Sequence, residues 1–138
     1  MIINCSPEEL DMLARIMRAE ALGEGNLGML LVGNVVVNRA LARCYIFRDI
    51  RSITAAINQP NQFSGINSSL YQAKSTTAEK DLAKKLLRGE YFDPATNALW
   101  FKVKKSSCDK TWYNQNLAGD YKNHCFYNPN FDECEQFH

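Results

Sequence analysis

The sequence has no Cys-x-x-Cys pair, no acidic loop of the EF-hand kind, no internal repeat and no low-complexity linker. The first absence excludes compact zinc modules, which need closely spaced thiolates, so no metal site is expected. The second excludes a dedicated calcium loop. The last two leave one domain over residues 1–138 as the expectation. Charge of one sign is also missing. Sixteen Lys and Arg stand against fifteen Asp and Glu, a net charge of +1, which is too small a basic surplus for nucleic acid to be a partner. Long apolar runs are lacking too. The densest, residues 27–37, is broken by Gly28, Gly33 and Asn34 and falls short of the ~18 residues that a membrane span requires. Residues 1–5 have neither a basic n-region nor an apolar h-region, so no export signal is expected.

What is present is a 46% apolar composition with only 22% charged residues, enough for a core and unlike a disordered chain or a coiled coil. The five cysteines, Cys5, Cys44, Cys108, Cys125 and Cys134, are scattered and odd in number. Without an export signal the expectation is reduced thiols. Three of them lie at or beyond position 108, which leaves a tail disulfide open in an oxidising setting.

Ser6, Pro7 and Glu9 together mark a helix start: a cap, a proline at the first turn and a capping box. Leu10, Leu13, Ala14, Met17 and Ala21 follow at helical spacing, and Gly23 or Gly25 should end the helix. Asn26 suits the cap of a second segment through about Arg43 that is apolar on most sides. Its Val35-Val36-Val37 triplet also suits a strand, but the length favours a buried helix. A short helix fits residues 52–58, and a polar loop with Pro60 and Gly65 follows. Thr76 and Glu79 form a second capping box, opening a helix that Gly89 closes. Residues 98–103 and 122–127 are aromatic, strand-like runs, joined by a loop or hairpin arm carrying Cys108, Trp112, Tyr113 and Gly119. The fold class is therefore α+β, with helices first and a small antiparallel sheet in the C-terminal half.

On a helical wheel at ~100° per residue, Glu20 falls at the border of the buried stripe of the first helix, beside Leu13 and Ile16. Partial burial and the negative helix end both raise a carboxyl pKa. A carboxyl still protonated near neutral pH is what a glycosidic oxygen needs from a general acid. The same position equally suits a glutamate paired with Arg18 or Arg39. Glu24, four residues on, is a possible assisting carboxylate, but Gly23 and Gly25 flank it and leave its direction open, so it also fits a solvated turn.

Residues 13–25, Leu-Ala-Arg-Ile-Met-Arg-Ala-Glu-Ala-Leu-Gly-Glu-Gly, then Gly28-Met29 and Val32-Gly33-Asn34-Val35-Val36-Val37-Asn38-Arg39, closely resemble the SleB/CwlJ spore cortex-lytic cell-wall hydrolase family. So do Phe63-Ser64, Ala98-Leu99-Trp100-Phe101 and Asn123-His124-Cys125-Phe126-Tyr127, extending the resemblance over about residues 6–129. The chain's length looks more like the CwlJ branch. The resemblance implies a lysozyme-like, lytic transglycosylase-type catalytic domain that degrades spore cortex peptidoglycan during germination. Its single essential glutamate maps onto Glu20. Cleavage between N-acetylmuramic acid and N-acetylglucosamine would leave a 1,6-anhydro end. The resemblance also implies manufacture in the mother cell without a signal peptide, deposition in the spore coat with a coat-protein partner, and a calcium–dipicolinate trigger rather than a bound cofactor. A hydrolytic glucosaminidase or muramidase, or a non-catalytic cortex-binding coat protein, are the alternatives.

A glycan groove also needs aromatic faces and amide or hydroxyl groups. Gln62, Phe63, Ser64, Trp100, Trp112 and Tyr113 supply those types, as do Asn123 and His124 on the last strand-like run. Each tryptophan equally suits sheet packing, and a strand histidine suits a hydrogen-bonded structural role. His124 and Cys125 cannot act as a dyad, because neighbours on a strand face opposite ways.

Overall fold

A computed structural model of the chain describes residues 3–60 and 62–137. Met1 and Ile2 of the N-terminal stretch, Asn61 of the polar loop, and His138 lie outside the described residues. Among the described residues five α-helices precede a four-stranded sheet, an α+β architecture.

Helix α1 (Pro7–Ala21) opens on the expected capping box, with the Ser6 hydroxyl accepting from Glu9 N–H and the Glu9 carboxylate accepting from Ser6 N–H. It stops two residues before Gly23, and one 3-10 turn (Leu22–Glu24) leads directly into α2 (Gly25–Leu41). The start of α2 differs from the Asn26 cap expected from sequence. Glu24 holds the cap position without capping, because its carboxylate is engaged elsewhere, and Gly25 turns the chain at a φ of +79°. Such a backbone is cheap for glycine. Helix wins over strand for the valine triplet because α2 is central. Leu31, Val32, Val35 and Val36 are fully buried, and its neighbours cover it from several sides.

Helices α3 (Ile53–Ile57) and α4 (Ser69–Gln72) are short, each capped by the serine before it. Helix α5 (Thr77–Leu87) carries the second capping box, and Gly89 follows its end at a φ of +99°. α1, α2, α3 and α5 close around Leu13, Ile16, Met17, Val32, Val36, Ile53, Ile57 and Leu86. The α1, α2 and α5 axes pack closely at Gly33, where an added Cβ would stand 2.5 Å from Leu86 Cδ1 and 2.7 Å from Met17 Sδ.

The strands are β1 (Trp100–Val103), β2 (Thr111–Trp112), β3 (Gln115–Tyr121) and β4 (His124–Asn128), all antiparallel in the order β1-β4-β3-β2. The arm between the two strand-like runs is thus largely sheet. Its β2–β3 turn places Tyr113 and Asn114 at φ of +50° and +69°, the primed geometry that suits strand twist. Phe126 on the buried face of β4 packs with Leu31 and Val35 of α2 and with Ala95 and Ala98.

The irregular 92–99 segment between α5 and β1 is tied down by polar side chains of α2. Asn34 Oδ1 accepts from Phe92 N–H, and Asn38 Nδ2 donates to the carbonyls of Ala95, Thr96 and Ala98 at 3.2, 3.1 and 2.9 Å. Arg39 Nε donates to Leu99 O. A buried carbonyl without a donor is costly, so these residues fix where β1 begins.

The expectation of reduced thiols is corrected. Cys44 pairs with Cys134 and Cys108 with Cys125, leaving Cys5 free. The fold brings their Cα atoms to 5.2 and 5.7 Å, within bridging range, across separations of 90 and 17 residues that carry no local signal. No helix among the described residues is long and apolar enough to cross a membrane.

Candidate active site

The last turn of α1, the 3-10 turn, the polar loop and the β3–β4 turn surround a cavity of about 390 Å³. Of the residues picked out from sequence, Glu20, Glu24, Ser64, Asn123 and His124 line it together, with Gly65 and Val103 completing its walls. Helical spacing puts Glu20 at the edge of the α1 core stripe, and the structure leaves its carboxyl half-buried.

Glu20 forms no ion pair among the described residues. Arg18 is spent on Glu79, at 2.8 Å, and on the carbonyls of Leu70, Ala73 and Lys74. Arg39 is spent on Leu99 O and the Gln59 and Gln62 side chains. The arginine-paired alternative is thereby excluded. One carboxyl oxygen of Glu20, Oε2, accepts from Gly65 N–H. Burial raises the Glu20 pKa above the ordinary carboxylate value, and the Gly65 hydrogen bond and the His124 charge offset only part of that rise. Gly65 is required by space as well: a Cβ there would meet Glu20 Oε2 at 2.3 Å and Ala19 Cβ at 2.9 Å.

Glu24 is the main surprise. It is neither solvated nor free in direction, being 5% exposed. Its Oε1 lies 2.7 Å from His124 Nδ1, and its Oε2 accepts from Asn123 N–H at 2.8 Å. Lys122 Nζ donates to the Glu24 carbonyl at 3.4 Å. The β3–β4 turn therefore grips Glu24, with Lys122 at a φ of +48° turning the backbone toward it. Gly28 makes room beneath, since a Cβ there would stand 2.4 Å from Glu24 Cβ. His124 is buried, packed edge-on against Phe101 with ring centroids 5.3 Å apart. The expected hydrogen-bonded strand histidine and the expected assisting carboxylate are one buried pair at the wall of the Glu20 cavity.

The other candidates lie elsewhere. Gln62, Trp100, Trp112 and Tyr113 line a second cavity of about 400 Å³ with Arg39, Ile46, Phe101 and Gln115. Phe63 is buried, stacked on Phe101 at 5.7 Å and beneath the Arg39 guanidinium, so it is a packing residue with only an edge on a third cavity beside Ser64. Trp112 packs on Tyr127, and Trp100 on Phe47. Gly65, Gly28 and Arg39 went unnoticed as site residues. The two glycines carry no side chain to signal a role, and Arg39 reads as an ordinary helix-end cation. Among the described residues no three His, Cys, Asp or Glu side chains converge as a metal site.

Residues 23–127 match the family model described as Cell Wall Hydrolase. The chain is 40% identical to the cell wall hydrolase CwlJ of Oceanobacillus iheyensis over 136 residues, covering 98% of this chain and 96% of that protein. It is 38% identical to the cell wall hydrolase CwlJ of Bacillus subtilis over 134 residues, covering 97% and 94%. Its fold matches the catalytic domain of the germination-specific lytic transglycosylase SleB from Bacillus anthracis, with a TM-score of 0.70 at 21% identity over 90% of this chain and 97% of that one. The catalytic domain of Bacillus cereus SleB matches with a TM-score of 0.71 at 20% identity, covering 90% and 92%.

Proposed function

This chain belongs to the cell wall hydrolase family, and on that premise we propose that it cleaves the glycan strand of spore cortex peptidoglycan during germination, with Glu20 as general acid and then base. The observation that carries the reading is Glu20 itself: half-buried, in no ion pair among the described residues, raised in pKa by burial and facing an open cavity. We read the arrangement, a carboxyl at a helix end facing a small sheet across a groove, as lysozyme-like.

Protonated Glu20 delivers its proton to the glycosidic oxygen as the bond from C1 breaks. The carboxylate left behind takes the proton of the muramoyl 6-hydroxyl as that oxygen bonds to C1, closing a 1,6-anhydro ring and restoring the acid. One carboxyl serves both steps, so no carboxylate nucleophile or cofactor is needed. Gly65 N–H fixes one carboxyl oxygen, leaving the other to face the substrate. The Glu24–His124 pair acts as a positioning unit, holding the β3–β4 turn and the imidazole against the cavity. Action at the spore coat and cortex, with a coat-protein partner and a calcium–dipicolinate trigger outside the cleavage step, completes the reading.

Mass spectrometry of fragments released from purified cortex tests it. Anhydro-muramic ends, lighter by one water than hydrolysed reducing ends, are the expected products. Reducing muramic acid or glucosamine ends would transfer the assignment to a hydrolytic muramidase or glucosaminidase, and no release at all would leave a cortex-binding protein.

Gly65→Ala offers a second check. The added methyl meets the Glu20 carboxyl, the flexible partner in the contact, and also Ala19 Cβ at 2.9 Å, which can move only with the α1 backbone. Turnover is expected to fall on the order of 10²-fold, the scale of an ångström-sized misplacement of a catalytic group. The thermal unfolding midpoint should fall as well, because α1 must shift at Ala19, so turnover is compared at a temperature where the variant is folded. Unchanged turnover would mean that the Gly65 contact does not aim the acid.

A further inference from the structure

Arg39 is 2% exposed on the central helix, yet no carboxylate faces it among the described residues. Its Nε and Nη1 hydrogens go to neutral acceptors: Leu99 O at 2.6 Å, Gln59 Oε1 at 3.2 Å and Gln62 Oε1 at 2.8 Å. Its guanidinium lies over the Phe47 and Phe63 rings, 5.4 and 5.1 Å from their centroids. Nη2 has no partner among the described residues, and Arg39 lines the 400 Å³ cavity. The acid reached through the Gln115 wall, Glu133, is held by Gln115 Nε2 and Asn130 N–H instead. An arginine buried without a counter-ion is costly, and burial lowers its pKa to about 10, so it still carries its charge at neutral pH.

The walls above it are aromatic. Trp100 and Trp112 stand on opposite edges of the sheet, and Tyr113 is held at a φ of +50°, uncommon for a bulky residue, at the exposed rim. The cavity is also close to Glu20. Trp100 and Val103 are the two ends of β1, about 10 Å apart at strand rise, and they line the aromatic and the acid cavity respectively. Gln62 and Ser64 divide the same way along the polar loop.

We propose that this cavity is a second binding site, in which Arg39 receives a carboxylate carried on a short amide-bearing chain that lies against Trp100, Trp112 and Tyr113. Resting on the peptidoglycan reading, the ligand class is the peptide side chain hung from the glycan strand, anchored by its free carboxylate while the sugar chain crosses the Glu20 cavity. Planar, two-pronged donation makes arginine suited to a carboxylate, and the aromatic walls exclude water from the pair.

The chain has two tryptophans and both line this cavity, so intrinsic tryptophan fluorescence reads the site directly and without turnover. The probes are N-acetylmuramoyl-L-alanyl-D-isoglutamine, which carries one free carboxylate on its peptide, the same compound with that carboxylate converted to the amide, and the free dipeptide. The first should give a saturable change, and the amide should bind roughly tenfold to a hundredfold more weakly. Gln62→Glu should weaken carboxylate binding over the same range, because it sets an internal anion against Arg39 Nη1 at an exposed, nearly isosteric position that does not threaten the fold. Equal binding of acid and amide, no fluorescence response to any probe, or undiminished binding by Gln62→Glu would each overturn the proposal. If the free dipeptide binds as well as the muramoyl compound, the carboxylate site stands and its link to the glycan falls. Cleavage of cortex is scored separately, so loss of that activity assignment and loss of this site are distinct results.

Discussion

Glu20→Gln is expected to reduce cortex cleavage by roughly 10²–10⁴-fold, the usual contribution of a positioned acid–base group, with binding to cortex retained. Glutamine keeps the shape of the side chain and an oxygen that can accept from Gly65 N–H, but it has no proton to give. Stability should move the other way. Burial raises the Glu20 pKa, so the folded state binds that proton more tightly than the unfolded chain does. The contribution of Glu20 to stability then falls as pH climbs from the ordinary carboxylate value through the raised folded value. Glutamine removes that loss. The variant should unfold no more easily than the parent at neutral pH, and any difference should vanish at pH below the unfolded carboxylate value. Activity of the parent should decline as pH rises through the same folded pKa, because the acid form is consumed. Undiminished clearing of cortex suspensions by the variant, or a variant that unfolds markedly earlier at neutral pH, would remove Glu20 from the acid role.

What could be read from the chain was what neighbours in sequence decide. The capping boxes at Ser6–Glu9 and Thr76–Glu79 formed as written, because each needs only four consecutive residues. The border position of Glu20 followed from helical geometry alone. Glu24 illustrates the opposite case. Its direction is set by Asn123 and His124, about a hundred residues away, and flanking glycines conceal any local preference. The sequence leaves β3 open between a loop and a hairpin arm for a related reason: Asn116, Gly119 and Asp120 are poor strand formers, and pairing with β4 overrides them. That Glu20, Glu24, Ser64, Asn123 and His124 share one cavity while Gln62, Trp100, Trp112 and Tyr113 share another depends on which end of β1 each approaches. That in turn depends on where β1 begins, a point decided from α2 rather than within the strand.

That anchoring makes Asn38→Ala the other substitution with a large expected effect, about 3 kcal/mol of stability. The Asn38 carboxamide donates to three backbone carbonyls, and it is wholly buried. Ala95 O keeps the Ala98 N–H as a second donor, so its loss is partial. Ala98 O loses the carboxamide in the core, at about 1–3 kcal/mol for a buried group left unmet, and Thr96 O loses it at a part-buried position where the cost is smaller. Asn34 Nδ2 also loses its acceptor on Asn38. Asn38→Asp separates hydrogen bonding from packing: it preserves the volume, but its carboxylate presents acceptors to acceptors, so it should be destabilised at least as much as the alanine variant at neutral pH and partly recover on acidification. Urea denaturation is the measurement, with a lower midpoint and an unchanged slope expected. Because the segment held by Asn38 leads straight into Trp100, tryptophan fluorescence should also shift in the folded variant. If Asn38→Ala costs less than about 1 kcal/mol, water replaces the carboxamide there, and α2 would be a scaffold that the sheet merely leans on rather than the element that sets the register of the active-site wall.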